Sequence, residues 1–116
     1  ADTRLDMMYM PDAVRAMIEL MQADAATLLN RNAYNITAMS VTPHDLASAI
    51  AARISGFSID YDIDPVRQSI ADSWPRSLDD SAARQEWNWA PRFDIDAMSD
   101  DMLEQIHRNL KPAQAG

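Results

Sequence analysis

The chain has 116 residues, 47% of them hydrophobic, a formal net charge of −8 at pH 7 and no cysteine. This length and apolar content suit one small domain, residues 1–116, able to bury roughly two-thirds of its unfolded surface. The acidic surplus repels phosphate backbones and anionic lipid headgroups, so neither nucleic acid nor a membrane is an expected partner; the lack of thiols excludes disulfides, Cys-ligated zinc and thiolate catalysis, and fits a cytoplasmic location.

Arg4 to Met10 reads as a short methionine-rich strand, and Pro11 supplies the fixed φ of a strand-to-helix turn. Asp12 is the expected N-cap of a helix whose Val14, Met17, Ile18 and Met21 recur at i, i+3, i+4 and i+7, an apolar face that must pack on something. After a polar turn around Asn30 to Asn32, Ala33 to Val41 mixes β-formers with small residues. Thr42-Pro43-His44-Asp45 then predicts a helix start: a capping hydroxyl, a proline where the missing N–H is harmless, and an acid at the positive helix end. Leu46, Ala47, Ile50 and Ile54 are its expected buried stripe, and Gly56 is the left-handed residue that ends it.

Phe57 to Ile63 alternates apolar and polar residues without a break, the period-2 pattern of a strand with one buried face and one wet, acidic face carrying Asp60 and Asp62. Asp64-Pro65 closes it, and Val66, Ile70 and Trp74 mark a short helix running to the Trp74-Pro75 bend. Ser81 to Trp87 is a helix capped by Asp79 or Asp80, with Asn88 in the left-handed position after it and Trp87 and Trp89 bracketing the turn. Asp94 or Asp96 caps a last helix with Ile95, Met98, Met102, Leu103, Ile106 and Leu110 on one face and His107, Arg108 and Lys111 at its negative end. Strands alternate with helices and give way to helices, an α/β arrangement; Pro112 to Gly116 reads as a flexible tail.

Several chemistries are absent by counting. The only glycines are Gly56 and Gly116, whereas a dinucleotide-binding loop clusters three so that backbone can approach a pyrophosphate. Lys111 is the only lysine, and no tyrosine stands four residues before it, so no Tyr-x-x-x-Lys pair exists. His44 and His107 lack partners at metal-ligand spacing, so no metal is expected. Asp79-Asp80 and Asp100-Asp101 read as helix caps rather than acid–base pairs, because neighbours on a helix do not face one point. Met7, Met8, Met10, Met17 and Met21 read as core packing or as an apolar wall against a ligand or a further domain. The most site-like segment holds Arg67, Asp72, Ser73 and Trp74: a cation, a hydroxyl and an indole between a strand and a proline bend.

Over nearly its whole length the chain resembles the extended short-chain dehydrogenases. Arg4-Leu5-Asp6-Met7-Met8-Tyr9-Met10-Pro11-Asp12, followed by Ala13-Val14-Arg15-Ala16, matches their arginine, apolar strand, tyrosine, aspartate and helix; Tyr34-Asn35-Ile36 with Thr42-Pro43 and Leu46 resembles the next strand-to-helix unit. Tyr34 to Ser40, Ile70 to Pro75 and Asp79 to Arg84 are most similar to the epimerase-like L-threonine 3-dehydrogenases. Two positions depart from that pattern: Asp6 stands where the family tends to have proline, and Asn88 where it has glycine between the tryptophans.

The resemblance implies the carboxy-terminal, substrate-side lobe of an NAD-dependent enzyme that oxidises L-threonine to 2-amino-3-oxobutanoate, without its Rossmann nucleotide-binding half. It implies that the glycine-rich NAD loop and the catalytic tyrosine and lysine belong to that other half, so this chain by itself holds no catalytic or cofactor-binding residue. In relatives an arginine near Arg67 holds a sugar nucleotide's phosphates, and Trp74 with Ser73 and Asp72 resembles the part that closes on a small amino acid. The implied partners are the nucleotide-binding domain, a small-molecule substrate and a second copy of the chain, since an exposed methionine-rich strand templates association. A lobe of a nucleotide-sugar epimerase or dehydratase, and a stand-alone acidic protein-binding module, are the alternatives.

Overall fold

The computed structural model describes residues 2–30 and 33–110. The expected tail at 112–116 and part of the turn at Asn30 to Asn32 lie outside the described residues. Strand β1 (Leu5–Met7) pairs antiparallel with β2 (Met39–Val41), placing Leu5 opposite Val41, Asp6 opposite Ser40 and Met7 opposite Met39. Both strands are shorter than the sequence pattern predicts, because the chain turns into helix α1 (Met10–Gln22) directly after β1, while 33–38 runs extended without ladder pairing.

The start of α1 differs from the expectation. Tyr9 is the N-cap, its carbonyl accepting from the N–H of Asp12 at 3.0 Å and of Ala13 at 3.1 Å. Asp12 sits inside the first turn, 1% exposed, and its carboxylate reaches across the fold. It accepts from the N–H of Arg92 at 3.0 Å, from that of Phe93 at 2.9 Å and from the Arg15 guanidinium at 3.0 Å. Arg15 in turn donates to the Ala90 carbonyl at 2.6 Å and lies 4.8 Å from the Trp89 ring centroid. A buried carboxylate is tolerated here because charge-assisted bonds replace the water it lost.

Those contacts clamp α1 onto the core, where Ala16, Ala83, Trp87 and Trp89 are buried and Met8, Leu20, Ala23, Leu28, Tyr34 and Ile36 pack around them. The two indoles lie 5.7 Å apart, and Tyr34 meets Trp87 edge-on at 6.2 Å. The small Ala16 and Ala83 let two helices approach the paired tryptophans closely. Of the methionines near the start, only Met8 joins this core; Met7, Met10, Met17 and Met21 are exposed, as are Val14 and Ile18. The stripe predicted to be the packing face of α1 is thus uncovered.

Helix α2 (Pro43–Ala51) begins as predicted, with a complete capping box: the Thr42 hydroxyl accepts from the Asp45 N–H at 3.1 Å, and the Asp45 carboxylate accepts from the Thr42 N–H at 2.9 Å. These bonds hold the Asp45 carboxyl below the usual carboxylate range. The helix stops at Ala51, earlier than expected, and Gly56 at φ +80° serves the turn that follows rather than the helix end. Ala49 is the buried residue of α2, while Ile54 is exposed.

Residues 57–63 form no strand, contrary to the alternating pattern. Ile59, Tyr61 and Ile63 are exposed, and among the described residues the only sheet is the β1–β2 pair. A strand exists through ladder bonds to a neighbour, and no neighbour is at hand. Helix α3 (Pro65–Asp72) follows, capped by Asp64, which accepts from the N–H groups of Val66 at 2.9 Å and Arg67 at 3.3 Å. Its Val66 and Ile70 are also exposed.

Helix α4 (Ser81–Trp87) has the expected bounds, and Asn88 is left-handed at φ 56°, ψ 37°. The Trp89 N–H then closes the helix end on the Ala83 carbonyl at 3.2 Å. Asp79 accepts from the Ser81 N–H, which depresses its carboxyl, whereas Asp80 makes no cap bond and pairs with Arg84 at 2.8 Å. Because asparagine tolerates this φ less well than glycine, Asn88→Gly is expected to stabilise the protein by about 0.5 kcal/mol and Asn88→Ala to destabilise it by about 1 kcal/mol. Urea unfolding of the two variants checks the order.

Helix α5 (Ile95–Leu110) is capped by Asp94, which accepts from the Ala97 N–H at 2.8 Å. Asp100 and Asp101 do not cap, because they lie in the second turn. Instead Arg53 ties α2 to α5 through Asp96 at 3.2 Å and through Asp100, whose carboxyl the guanidinium lowers. Asp101 accepts from the Tyr9 hydroxyl at 2.6 Å, and that bond raises the tyrosine's pKa.

The radius of gyration is 17.9 Å and the extents are 51 × 50 × 22 Å, against roughly 13 Å for a compact domain of this length. The chain is a thin slab with apolar side chains on faces that nothing covers. No helix among the described residues is long and apolar enough to cross a membrane.

Candidate functional site

The short β1–β2 ladder separates two clefts, and Leu5 lines both. The first, about 450 Å³, lies between the start of the chain and α3, with Thr3, Asp60, Asp62, Arg67 and Gln68 on its walls. The second, about 340 Å³, is more apolar and is lined by Leu5, Asp6, Met7, Trp74, Pro75 and Leu78.

The four residues singled out in the sequence are therefore divided. Arg67 lines the first cleft with a side chain 88% exposed, paired with Asp64 at 3.7 Å. Trp74, 55% exposed, forms a wall of the second. Asp72 and Ser73 line neither cleft. The Asp72 carboxylate accepts from Gln68 at 2.9 Å and Thr3 at 3.4 Å, and the Ser73 hydroxyl donates to the Ile70 carbonyl at 2.6 Å, closing the end of α3. Both are thereby engaged in holding the segment that presents Trp74.

That segment is secured on its far side as well. The Ser40 hydroxyl donates to the Arg76 carbonyl, so the bend from Trp74 to Leu78 is fastened to β2. Asp6, directly opposite Ser40, accepts from the Thr37 hydroxyl, and the Trp89 indole N–H donates to the Thr37 carbonyl at 3.1 Å. The acid at position 6 thus has a local partner that a proline would not need. Sequence reasoning marked Asp6 only as a departure from a family pattern; its place beside Trp74 follows from the strand register, which its sequence neighbours do not disclose.

A third hollow, about 340 Å³, runs past Glu19, Asp24, Glu86 and Asn88. Burial pushes the Glu86 carboxyl up, but the N–H groups of Leu29 and Asn30, the Asn30 side chain and Tyr34 outweigh it and leave the carboxyl below its ordinary range. Glu86 is in effect a staple for residues 28–30. Among the described residues no group of three or more histidine, aspartate or glutamate side chains is placed to hold a metal ion.

A small antiparallel ladder, a Trp-Pro bend fastened over it and helices with uncovered apolar faces make up an α/β fold that is shared with one portion of solved epimerase-like dehydrogenases. Solved chains it is similar to include L-threonine dehydrogenases. The enzyme from Clostridium difficile is 53% identical with a TM-score of 0.88, over 92% of this chain and 34% of that one. The one from Phytophthora infestans is 46% identical with a TM-score of 0.89, over 94% and 35%. The GalE-like enzyme from Cupriavidus necator, in its holo form, is 50% identical with a TM-score of 0.86, over 90% and 34%. Among curated proteins, an uncharacterized epimerase/dehydratase of Staphylococcus saprophyticus is 54% identical over 110 residues, 95% of this chain and 34% of the relative. The chain thus spans about a third of the length of the relatives it matches. No family model matches it.

Proposed function

We propose that the chain is the substrate-side part of an NAD-dependent L-threonine 3-dehydrogenase, a part inactive by itself. The observation that carries this reading is the similarity to three L-threonine dehydrogenases at 46–53% identity with TM-scores of 0.86–0.89. The uncovered faces of α1, α3 and 57–63 support it, since a lobe built against a nucleotide-binding domain needs such faces.

The residues present do not fit the dinucleotide itself. Gly56 sits in an exposed turn behind α2, no second glycine accompanies it, and no Tyr-x-x-x-Lys pair exists, so NAD and the proton transfer are assigned to the remainder of the enzyme. What this chain contributes is a wall. Trp74 closes on the substrate, Ser73 and Asp72 hold the end of α3 that presents it, and Arg67 stands as the cation at the neighbouring cleft.

The complete protein, supplied with NAD, is expected to oxidise L-threonine and to leave UDP-sugars unchanged; the opposite preference would favour the reading as a lobe of a nucleotide-sugar epimerase or dehydratase. Trp74→Ala is expected to raise the KM for L-threonine about tenfold, a loss of ~1.4 kcal/mol, with the affinity for NAD unchanged. An unaltered KM would remove Trp74 from the site.

A further inference from the structure

Among the described residues, Asp6 is the one charged side chain lining the Trp74 cleft, whose other walls are Leu5, Met7, Trp74, Pro75 and Leu78. In an antiparallel ladder, directly opposed residues project to the same face. Asp6 is opposed to Ser40, and the Ser40 hydroxyl holds the Arg76 carbonyl, so the carboxylate lies on the face over which the Trp74 bend is fastened. One of its oxygens, Oδ1, accepts from the Thr37 hydroxyl; among the described residues Oδ2 has no hydrogen-bond partner. A half-buried carboxylate with one uncommitted oxygen, beside an indole and among apolar side chains, is a receptor for a cation: low local polarity strengthens the Coulomb attraction, and an indole face adds to it.

We propose that Asp6 binds the ammonium group of an amino-acid substrate in the Trp74 cleft and so selects α-amino acids over hydroxy acids of the same shape. This rests on the threonine reading above. Asp6 accepts hydrogen bonds from the ammonium through Oδ2 while the Thr37 hydroxyl fixes Oδ1, so the carboxylate is oriented before substrate arrives, and Trp74 covers the ion pair from water.

The test is steady-state kinetics on the complete protein and two variants, with 3-hydroxybutyrate, which lacks the ammonium group, as a competing ligand. Asp6→Asn keeps the shape and the acceptor for Thr37 but removes the charge. It is expected to raise the KM for L-threonine about tenfold or more while kcat stays within about threefold and the inhibition constant of 3-hydroxybutyrate within about twofold. Thr37→Val, which leaves the charge but frees the carboxylate to turn, should raise KM by less than Asp6→Asn does, about threefold. Equal losses in the two variants would show that Asp6 merely shapes the bend, and an unchanged KM in Asp6→Asn would likewise overturn the proposal; in both cases the wild type still oxidises threonine and the enzyme assignment stands. A wild-type protein that ignores L-threonine would overturn both together.

Discussion

Asp12→Ala is expected to destabilise the protein by about 3–5 kcal/mol, enough to lower Tm on the order of 10 °C. The loss does not come from one bond. Removing the carboxylate, at a position 1% exposed, leaves the N–H groups of Arg92 and Phe93 without their acceptor and leaves the Arg15 guanidinium with only the more exposed Glu19 as counter-charge. Each orphaned buried donor costs about 1–3 kcal/mol, and the loss of the buried half of the Arg15 ion pairing adds to that. Asp12→Asn retains one acceptor oxygen but turns an amide NH2 toward donors, so it should fall roughly midway. Thermal unfolding of the three proteins measures the series. If the alanine variant melts within 2 °C of wild type, the clamp between α1 and residues 92–93 is not what holds the slab together.

Trp89→Ala is the second large effect, about 3–5 kcal/mol, from lost burial and the void left beside Ala16 and Ala83. A pair of milder substitutions separates packing from hydrogen bonding. The Trp89 indole N–H donates to the Thr37 carbonyl, whereas the Trp87 indole N–H is buried with no partner among the described residues. Changing either residue to phenylalanine removes the same volume, but only Trp89→Phe also strands a carbonyl. The Trp89 variant should therefore be less stable than the Trp87 variant by about 1–2 kcal/mol. Equal stabilities in urea would mean that the indole bond contributes nothing beyond volume.

Features encoded by near neighbours were legible in the sequence. Thr42 and Asp45 complete a capping box three residues apart, and Asn88 follows α4 where a left-handed residue is required; both appear as expected. Features needing a distant partner were not. Asp12 has the composition of a cap, and only the position of residues 92–93, some 80 positions on, makes it a clamp instead. Phe57 to Ile63 has the period of a strand but no ladder to join, and the apolar stripe of α1 has the period of a packing face but nothing on it. Periodicity reports which surface a segment is built to bury, not whether the burying body is at hand. Of the residues grouped in the sequence as a candidate site, Trp74 lines one cleft, Arg67 lines another, and Asp72 and Ser73 bond within their own exposed segment, which depends on where α3 ends.

The bonds that secure the first helix also set an order of events during synthesis. Asp12 waits for Arg92 and Phe93, and Tyr9 waits for Asp101. A ribosome adding about 5–20 residues per second takes roughly 4–16 s to make the intervening 80 residues. Through that interval α1 has emerged with a carboxylate destined for burial and nothing to receive it. Until residues 92–93 are made, the helix that carries the methionine-rich stripe is therefore without its clamp.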